Sequence, residues 1–213
     1  MKRLERSLER YCELVAAAPV SVTALRTPEA IRAELVDDAL AARELIGAEL
    51  PPTVDVGSGN GSPGIPLALA YEAPVTLVEA VGRKARFLEA AARALSLDAT
   101  VVAERSEIYG RGDGRDAFGL ALARALAPPP VAVELCLPLV RPGGRLLLWT
   151  GSIDADALDP VAALVGGRVT RAVSARSGRM LVELVKVAAT PERFPRRPGM
   201  AGKRPLASLP SMR

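Results

Sequence analysis

A glycine-rich turn carries the first residues that could do chemistry. It spans residues 54–64 with the sequence VDVGSGNGSPG, and it stands between a short apolar run and a helical segment. Glycines at such a turn let the backbone bend sharply and approach a ligand closely, while the following helix offers free backbone amides. A nucleotide-like ligand is therefore expected at this turn.

Two spacings within this turn favour two different ligands. Gly59, Gly61 and Gly64 fit the dinucleotide fingerprint of NAD-dependent enzymes. Asp55, followed by glycines at alternate positions from Gly57 to Gly61, fits the S-adenosylmethionine loop of class I methyltransferases. A carboxylate at the entrance of the loop would repel a diphosphate, whereas it attracts an ammonium and a sulfonium. The methyltransferase interpretation is therefore preferred, and an NAD-dependent oxidoreductase stays as an alternative.

Two charged side chains follow predicted strands, where ligands bind in open α/β sheets. Glu79 ends the second strand, and a carboxylate there can accept hydrogen bonds from both ribose hydroxyls. Arg124 ends the fourth strand, where its guanidinium is a candidate group for binding a ligand. The structural alternative for Arg124 is a salt bridge to Asp55 or Glu107 that only shapes the pocket.

Composition excludes several kinds of site. The chain has no histidine, so histidine triads, histidine bases and HExxH zinc sites are absent. Cys12 and Cys136 are too few for a disulfide framework or a metal cluster, so no metal is expected. No apolar run approaches the ~18 residues of a membrane helix. The charged N-terminus argues against a secretory signal, and a cytoplasmic location without membrane contact is expected.

The positive charge is concentrated at the C-terminus. Residues 190–213 carry six basic side chains against one acid, a charge of +5, whereas the rest of the chain is −1. Segregated positive charge is typical of a surface that binds a polyanion, and a solvated tail is the alternative. The basic side chains that could contact such a polyanion include Arg196, Arg197, Lys203 and Arg204.

The segments that must position these residues alternate between the apolar spacing of helices and that of strands. Helices are predicted over 1–17 and 28–47, the second with Thr27 as its N-cap and Pro28 in its first turn. Strands are predicted at 53–56, 75–78, 100–103, 120–123 and 145–149, with helices at 65–71, 83–95, 131–140 and 155–165 and a turn at 142–144. A final hairpin joins 168–174 to 180–187 across Ser177-Gly178.

This order predicts an α/β fold with a Rossmann-like, mostly parallel seven-stranded sheet and an antiparallel C-terminal edge. Three parts are expected: an N-terminal helical region over residues 1–50, the α/β domain over 51–189, and a basic, Pro-rich tail over 190–213.

The sequence resembles the RsmG family, also called glucose-inhibited division protein B, over most of its length. The resemblance is carried by the loop VDVGSGNGSPGIP at 54–66, by Ala123-Arg124-Ala125, and by the C-terminal runs PRRPG and KRPL at 195–199 and 203–206. Further similar stretches lie at 23–26, 37–40, 77–79, 83–88 and 105–107. Together these motifs are more specific than the loop alone.

The resemblance implies a bacterial enzyme with the class I methyltransferase fold that transfers a methyl group from S-adenosylmethionine to N7 of a guanine in 16S ribosomal RNA. It implies that the substrate is the RNA or a small-subunit particle, whose phosphates Arg196, Arg197, Lys203 and Arg204 would neutralise. A monomer is expected. The catalytic position falls on Arg124, at the junction of cofactor and substrate, where its guanidinium could fork onto guanine O6, a phosphate or the cofactor carboxylate. The implied cofactor contacts are Asp55, Gly57, Gly59, Gly61, Ser62, Glu79, Ala80, Val81, Ser106, Glu107 and Arg124.

Methylation at N7 is compatible with a chain that lacks histidine. N7 of guanine has an in-plane lone pair and no proton, so the attack on the methyl group needs alignment but no general base. The sequence departs from the family at Ser62, where a bulky apolar residue is usual, at Glu34, where a histidine is expected, and at Trp149-Thr150-Gly151, where a Lys-Gly pair is expected.

Two other functions remain open on the same residues. A small-molecule methyltransferase would use the same cofactor loop but would not need the basic C-terminus. An RNA-binding protein that keeps the cofactor loop without activity is also compatible with the motifs.

Overall fold

The computed structural model describes residues 2–151, 153–175 and 178–206. The chain divides into two compact units, Met1–Glu104 and Arg105–Arg213. The organisation predicted above, with boundaries after residues 50 and 189, stays a prediction.

The N-terminal helices are partly as predicted. Helix α1 (Lys2–Ala16) buries Leu8, Tyr11, Cys12 and Val15 on one face, which confirms the helical period of this segment. The second predicted helix is instead four consecutive pieces: α2 (Pro28–Ile31), a π-helical turn (Arg32–Asp37), α3 (Asp38–Ala41) and α4 (Arg43–Ile46). The predicted cap is confirmed, because the Thr27 hydroxyl accepts a hydrogen bond from the Ala30 amide at 3.2 Å.

The first unit continues with three parallel strands. Strands β1 (Thr53–Val56), β2 (Val75–Val78) and β3 (Ala99–Val102) pair β1 with β2 and β2 with β3. Helices α5 (Gly64–Tyr71) and α6 (Gly82–Leu95) form the crossovers between them. The core of this unit contains side chains of α1 as well as of β2, α5 and α6, so the N-terminal helices share one apolar core with the strands.

The second unit begins with the short helix α7 (Ser106–Tyr109) and strand β4 (Phe118–Arg124). Helix α8 (Pro129–Cys136) and a 3₁₀ turn (Leu137–Leu139) lead to β5 (Val140–Thr150). A 3₁₀ turn (Asp156–Leu158), α9 (Asp159–Leu164), β6 (Gly167–Ser174), β7 (Met180–Lys186) and α10 (Met200–Lys203) complete the described elements.

The sheet topology confirms the predicted fold class. Strands β4 and β5 are parallel, whereas β7 is antiparallel to both β5 and β6. The strand order of the seven-stranded sheet is β3-β2-β1-β4-β5-β7-β6. The predicted turn at 142–144 lies within β5, which begins five residues earlier than expected and shifts its register against β4 between Phe118 and Leu120. Ser177 of the predicted hairpin turn lies outside the described residues.

Within the described residues, the segment after β7 packs apolar side chains into the protein rather than extending into solvent. Phe194, Ala201 and Leu206 are buried at 4%, 3% and 2% exposure. Of the two interpretations of this segment, the fully solvated tail is therefore wrong for its first 17 residues, because apolar side chains within it are removed from water.

Candidate functional site

The glycine loop, residues 57–64, adopts conformations that explain its composition. Gly57, Gly59 and Gly61 have positive φ angles of 70°, 55° and 91°, a region that is costly for residues with a Cβ atom. The amides of Gly57 and Ser58 both donate to the carbonyl oxygen of Val78, at 2.8 and 3.1 Å. The loop is therefore fastened to the carboxyl end of β2 in a shape that only glycine adopts easily.

Close packing explains a fourth glycine in the loop. A Cβ atom on Gly64 would lie 2.8 Å from both the Cβ and the Oδ2 atoms of Asp55 and 3.0 Å from the Leu77 side chain. Contacts this short force neighbouring atoms to shift. Gly64 therefore lets α5 begin directly against β1, where the loop is formed.

The Asp55 carboxylate lies inside the loop and is 1% exposed. Its Oδ2 atom accepts a hydrogen bond from the Gly64 amide at 3.0 Å, at the start of α5. A carboxylate is favoured at this end of a helix by the unpaired amides and by the helix dipole. Asp55 thus organises the loop in the structure, and its predicted attraction to the cofactor's positive groups stays a prediction.

The Glu79 carboxylate stands at the carboxyl end of β2, where the sequence placed a ribose acceptor. Its Oε2 atom accepts from the Gly59 amide at 2.9 Å and its Oε1 atom from the Val81 amide at 2.8 Å. Each carboxylate oxygen has further lone pairs, so these bonds orient Glu79 without exhausting its capacity to accept hydrogen bonds. Beside it, Ala80 and Val81 are exposed, Val81 by 41%. An exposed apolar side chain next to an oriented carboxylate suits the base and the ribose of a nucleoside.

The N-terminal helical region also holds the glycine loop. The Tyr11 hydroxyl of α1 donates to the Asn60 carbonyl at 3.2 Å, and the Ser62 hydroxyl donates to the Leu35 carbonyl at 2.8 Å. Ser62, predicted as a cofactor contact, is 6% exposed, and its hydroxyl is directed to the helical region. The contact of Tyr11 with the loop was not predicted, because its spacing in α1 indicates only an apolar core position.

In the second unit, Arg124 is half-buried at the carboxyl end of β4 and pairs in register with Trp149 of β5. The strand end therefore lies where the sequence placed it. Thr150, which stands where the resemblance led us to expect a lysine, follows as the last residue of β5 and is half-buried. A threonine cannot supply the cation that a lysine would bring to this edge.

Ser106 and Glu107 begin helix α7, and both are buried, at 8% and 5% exposure. The Glu107 Oε1 atom accepts a hydrogen bond from the amide of Gly199 at 2.9 Å. A predicted cofactor contact is therefore directly bonded to the C-terminal segment, which motif spacing could not indicate.

The four basic residues predicted to bind RNA fall into two groups. Arg196 is directed inward, and its Nε atom donates to Glu134 Oε1 at 2.8 Å. The Glu134 side chain is 1% exposed and that of Arg196 is 19% exposed. Arg197, Lys203 and Arg204 are exposed. The ion pair gives Arg196 a structural role, and its predicted contact with RNA stays a prediction.

A second buried cation anchors the start of the C-terminal segment. Lys186 is 0% exposed, and its Nζ atom donates to the carbonyls of Leu137 and Val140 and to the Thr190 hydroxyl at 2.6, 3.0 and 2.6 Å. Burial lowers the pKa of Lys186 to about 8, an effect that nearby Asp116 opposes. Neither Lys186 nor Glu134 was predicted, because the Leu137 and Val140 partners of Lys186 and the Arg196 partner of Glu134 are distant in sequence.

Two kinds of feature are absent from the described residues. No group of three or more histidine, cysteine, aspartate or glutamate side chains in this part of the chain could hold a metal ion. No helix among the same residues is long and apolar enough to cross a membrane.

Comparisons with known proteins point to one family. Residues 4–166 match the family described as rRNA small subunit methyltransferase G. A protein of that name from Chloroflexus aggregans is 41% identical over 200 residues, covering 87% of this chain and 82% of its own. Another from Rubrobacter xylanophilus is 37% identical over 215 residues, covering 93% of this chain and 82% of its own.

Solved structures of low identity support the fold alone. An S-adenosylmethionine-dependent methyltransferase from Aquifex aeolicus superposes with a TM-score of 0.58 at 16% identity, over 74% of this chain and 93% of its own. Magnesium protoporphyrin IX methyltransferase from Synechocystis, solved with bound S-adenosylmethionine, superposes with a TM-score of 0.56 at 16% identity. The match covers 71% of this chain and 77% of its own.

Proposed function

The chain belongs to the rRNA small subunit methyltransferase G family, and from this membership we propose that it transfers the methyl group of S-adenosylmethionine to N7 of a guanine in 16S ribosomal RNA. The observation that carries the proposal is the match over residues 4–166, which includes the glycine loop, Glu79 and Arg124. We place the reaction in the cytoplasm, where bacterial small-subunit RNA is assembled.

The glycine loop and its surroundings fit S-adenosylmethionine. The positive φ angles of Gly57, Gly59 and Gly61 favour glycine, so this part of the backbone carries no side chains and a ligand can approach it closely. Glu79 is oriented by two backbone amides and retains lone pairs for the ribose hydroxyls. The buried Asp55 carboxylate adds negative charge beneath the loop, which favours a ligand with ammonium and sulfonium groups.

The protein's own task in this reaction is alignment. When bound, S-adenosylmethionine supplies an electrophilic methyl group on a sulfonium. Guanine N7 presents a lone pair and no proton, so no side chain has to remove one, which agrees with a chain without histidine. Arg124 is proposed to orient a reactant by forking onto guanine O6, a phosphate or the cofactor carboxylate.

The exposed cations of the C-terminal segment are proposed to bind the RNA backbone. Arg197, Lys203 and Arg204 are exposed, and each neutralised phosphate releases a counterion. Replacing all three by alanine is expected to lower the slope of log affinity against log salt by about 2 to 3. We propose that the enzyme acts as a monomer, on free 16S RNA or on an assembling small subunit.

The decisive experiment is transfer of a tritiated methyl group into 16S RNA, mapped by aniline cleavage at N7-methylguanine. Free 16S RNA and small subunits from a strain that lacks the modification are assayed side by side. Label at a single guanine in either substrate supports the proposal. The absence of label from both substrates contradicts it, provided that calorimetry shows S-adenosylhomocysteine bound to the protein.

A small-molecule methyltransferase, the alternative function, would leave 16S RNA unlabelled in the experiment above, and the role of the basic segment is tested by charge rather than by truncation. Removing the chain after Ala189 would also delete Thr190 and Phe194, which pack in the second unit, so lost activity would be ambiguous. Alanine at Arg197, Lys203 and Arg204 changes only exposed side chains. Unchanged methylation of 16S RNA in this triple variant would argue against the proposed RNA contacts.

A further inference from the structure

Residues 196–204, the basic loop, form a closed loop in the second unit. The Arg196 guanidinium donates to Glu134 Oε1 from Nε at 2.8 Å and to the carbonyl oxygen of Arg204 from Nη2, also at 2.8 Å. One side chain therefore joins the two ends of the loop to a buried carboxylate of α8. A loop held at both ends loses less entropy on association than a free chain does, and the freedom that remains in its middle can still be restricted.

The basic loop presents positive charge to solvent. Arg197, Lys203 and Arg204 are exposed, and within the described part of the chain no ion pair joins them to a carboxylate. Cations held on one closed loop repel each other, and a chain of phosphates relieves that repulsion. This charge pattern suits the RNA partner of the proposed function.

A third tie connects the basic loop to the residues predicted to contact the cofactor. Gly199 has a φ angle of +79° and donates its amide to Glu107 Oε1 at 2.9 Å. Glu107 is 5% exposed and follows Ser106, which is also predicted to contact the cofactor. The Glu107 carboxylate therefore fixes the middle of the basic loop, and the loop fixes the carboxylate.

We propose that Glu107 is a positioning residue through which binding of the cofactor and binding of RNA strengthen each other. A nucleoside beside Ser106 and Glu107 restrains α7, and the restrained carboxylate holds Gly199 and the basic loop in the shape that binds phosphates. This inference rests on the proposed function. Coupling between two ligands is reciprocal, so S-adenosylhomocysteine tightens RNA binding by the factor by which RNA tightens S-adenosylhomocysteine binding.

The test measures the affinity of the full chain for in vitro transcribed 16S RNA by filter binding, without and with saturating S-adenosylhomocysteine. For the unaltered chain the ratio of the two affinities is expected to be about fivefold or more. Glu107→Gln keeps an oxygen that can accept from Gly199 and is expected to retain most of the ratio. Glu107→Ala removes the acceptor and is expected to bring the ratio close to one. Glu192→Gln, an exposed carboxylate of the same segment, is the matched control and keeps the full ratio.

A merely structural role for Glu107 would lower both affinities or the unfolding temperature and leave the ratio unchanged, which overturns the proposal. A ratio of one in an unaltered chain that methylates 16S RNA overturns the coupling and leaves the proposed function standing. A chain that neither binds S-adenosylhomocysteine nor methylates RNA overturns both.

A second measurement needs no altered protein. Trypsin cleaves after Lys203, and in the unaltered chain S-adenosylhomocysteine is expected to slow that cleavage several-fold while leaving cleavage in α1 unchanged. Equal cleavage after Lys203 with and without S-adenosylhomocysteine overturns the proposal even where Glu107→Ala fails to fold.

Discussion

The glycine loop and the C-terminal segment are both held by hydrogen bonds, but the partners lie at very different distances along the chain. In the glycine loop, Asp55 bonds to an amide nine residues away and Glu79 to one twenty residues away. In the C-terminal segment, Arg196 bonds to a carboxylate 62 residues away and Gly199 to one 92 residues away. The glycine loop is therefore determined mainly by residues near it in the sequence, to which Tyr11 and Leu35 add two more distant bonds, whereas the C-terminal segment depends mainly on distant partners.

This difference decides what each region tolerates. The glycine loop depends on backbone shape, so the damaging changes there are those that add a Cβ atom. The C-terminal segment depends on a few buried charged partners, so its damaging changes lie in α8 and β7, outside the segment. Arginine and proline within the segment are typical of a solvated tail, whereas the side chains that order it belong to other elements.

The largest effect on stability is expected from Glu134→Ala. This change leaves the partly buried Arg196 guanidinium without its carboxylate, and breaking such a pair is expected to lower the free energy of unfolding by about 3 kcal/mol. Urea unfolding measures it. The matched control is Glu13→Ala, which breaks a pair whose side chains are each 55% exposed and is expected to cost less than about 1 kcal/mol. If the two changes lower the free energy of unfolding equally, the ion pair of Arg196 with Glu134 does not hold the C-terminal segment in place.

The next largest effect is expected from Gly64→Ala in the glycine loop. The added Cβ atom would lie 2.8 Å from Asp55 and must displace the start of α5, so we expect the affinity for S-adenosylhomocysteine to fall about 100-fold. Gly47→Ala is the control, because Gly47 has a φ angle of +99° but open space around it. It is expected to cost stability without changing that affinity. Calorimetry at one temperature distinguishes the two results.

The same contrast explains how much of the structure was predictable. The strands, their order along the chain and the glycine loop follow from local patterns of period two, period 3.6 and glycine spacing, and all three were confirmed. Glu79 was also placed correctly at the end of β2, because a strand boundary is a local feature.

The missed features all depend on contacts between distant residues. The inward direction of Arg196 requires Glu134, and the hydroxyl of Tyr11 finds Asn60 only after α1 has packed on the loop. The π-helical turn at Arg32–Asp37 changes the hydrogen-bond pattern within a segment that was predicted as one α-helix. No sequence signal indicates that change.

A smaller effect is expected from Glu79→Gln. Glutamine keeps one acceptor oxygen but loses the charge and the second acceptor, so Gly59 or Val81 is left with a weaker partner. We expect the affinity for S-adenosylhomocysteine to fall about tenfold, because hydrogen bonds to a charged group are worth about 1.5 to 3 kcal/mol. Adenine alone as ligand is the control, because it has no ribose and its affinity should fall little in the variant. An equal loss for both ligands would show that Glu79 acts only through the shape of the loop.

The smallest effect concerns the cation that anchors the C-terminal segment. Lys186 is fully buried, and burial lowers its pKa from 10.5 to about 8. Below pH 8 both the folded and the unfolded chain carry the proton. Between pH 8 and 10.5 the folded chain has released it while the unfolded chain still holds it, so unfolding takes up a proton. The contribution of Lys186 to the free energy of unfolding therefore rises with pH in this range.

Lys186→Met isolates that contribution, because methionine has a similar length and does not titrate. We expect the unaltered chain to gain about 1 kcal/mol over Lys186→Met between pH 8 and pH 9, measured by urea unfolding at each pH. The variant is less stable throughout, since the carbonyls of Leu137 and Val140 and the Thr190 hydroxyl lose a shared donor. The test is therefore how the difference in free energy of unfolding between the two proteins changes with pH. Parallel pH profiles would mean that Lys186 stays protonated above pH 9, and that its four hydrogen bonds outweigh the cost of burying its charge.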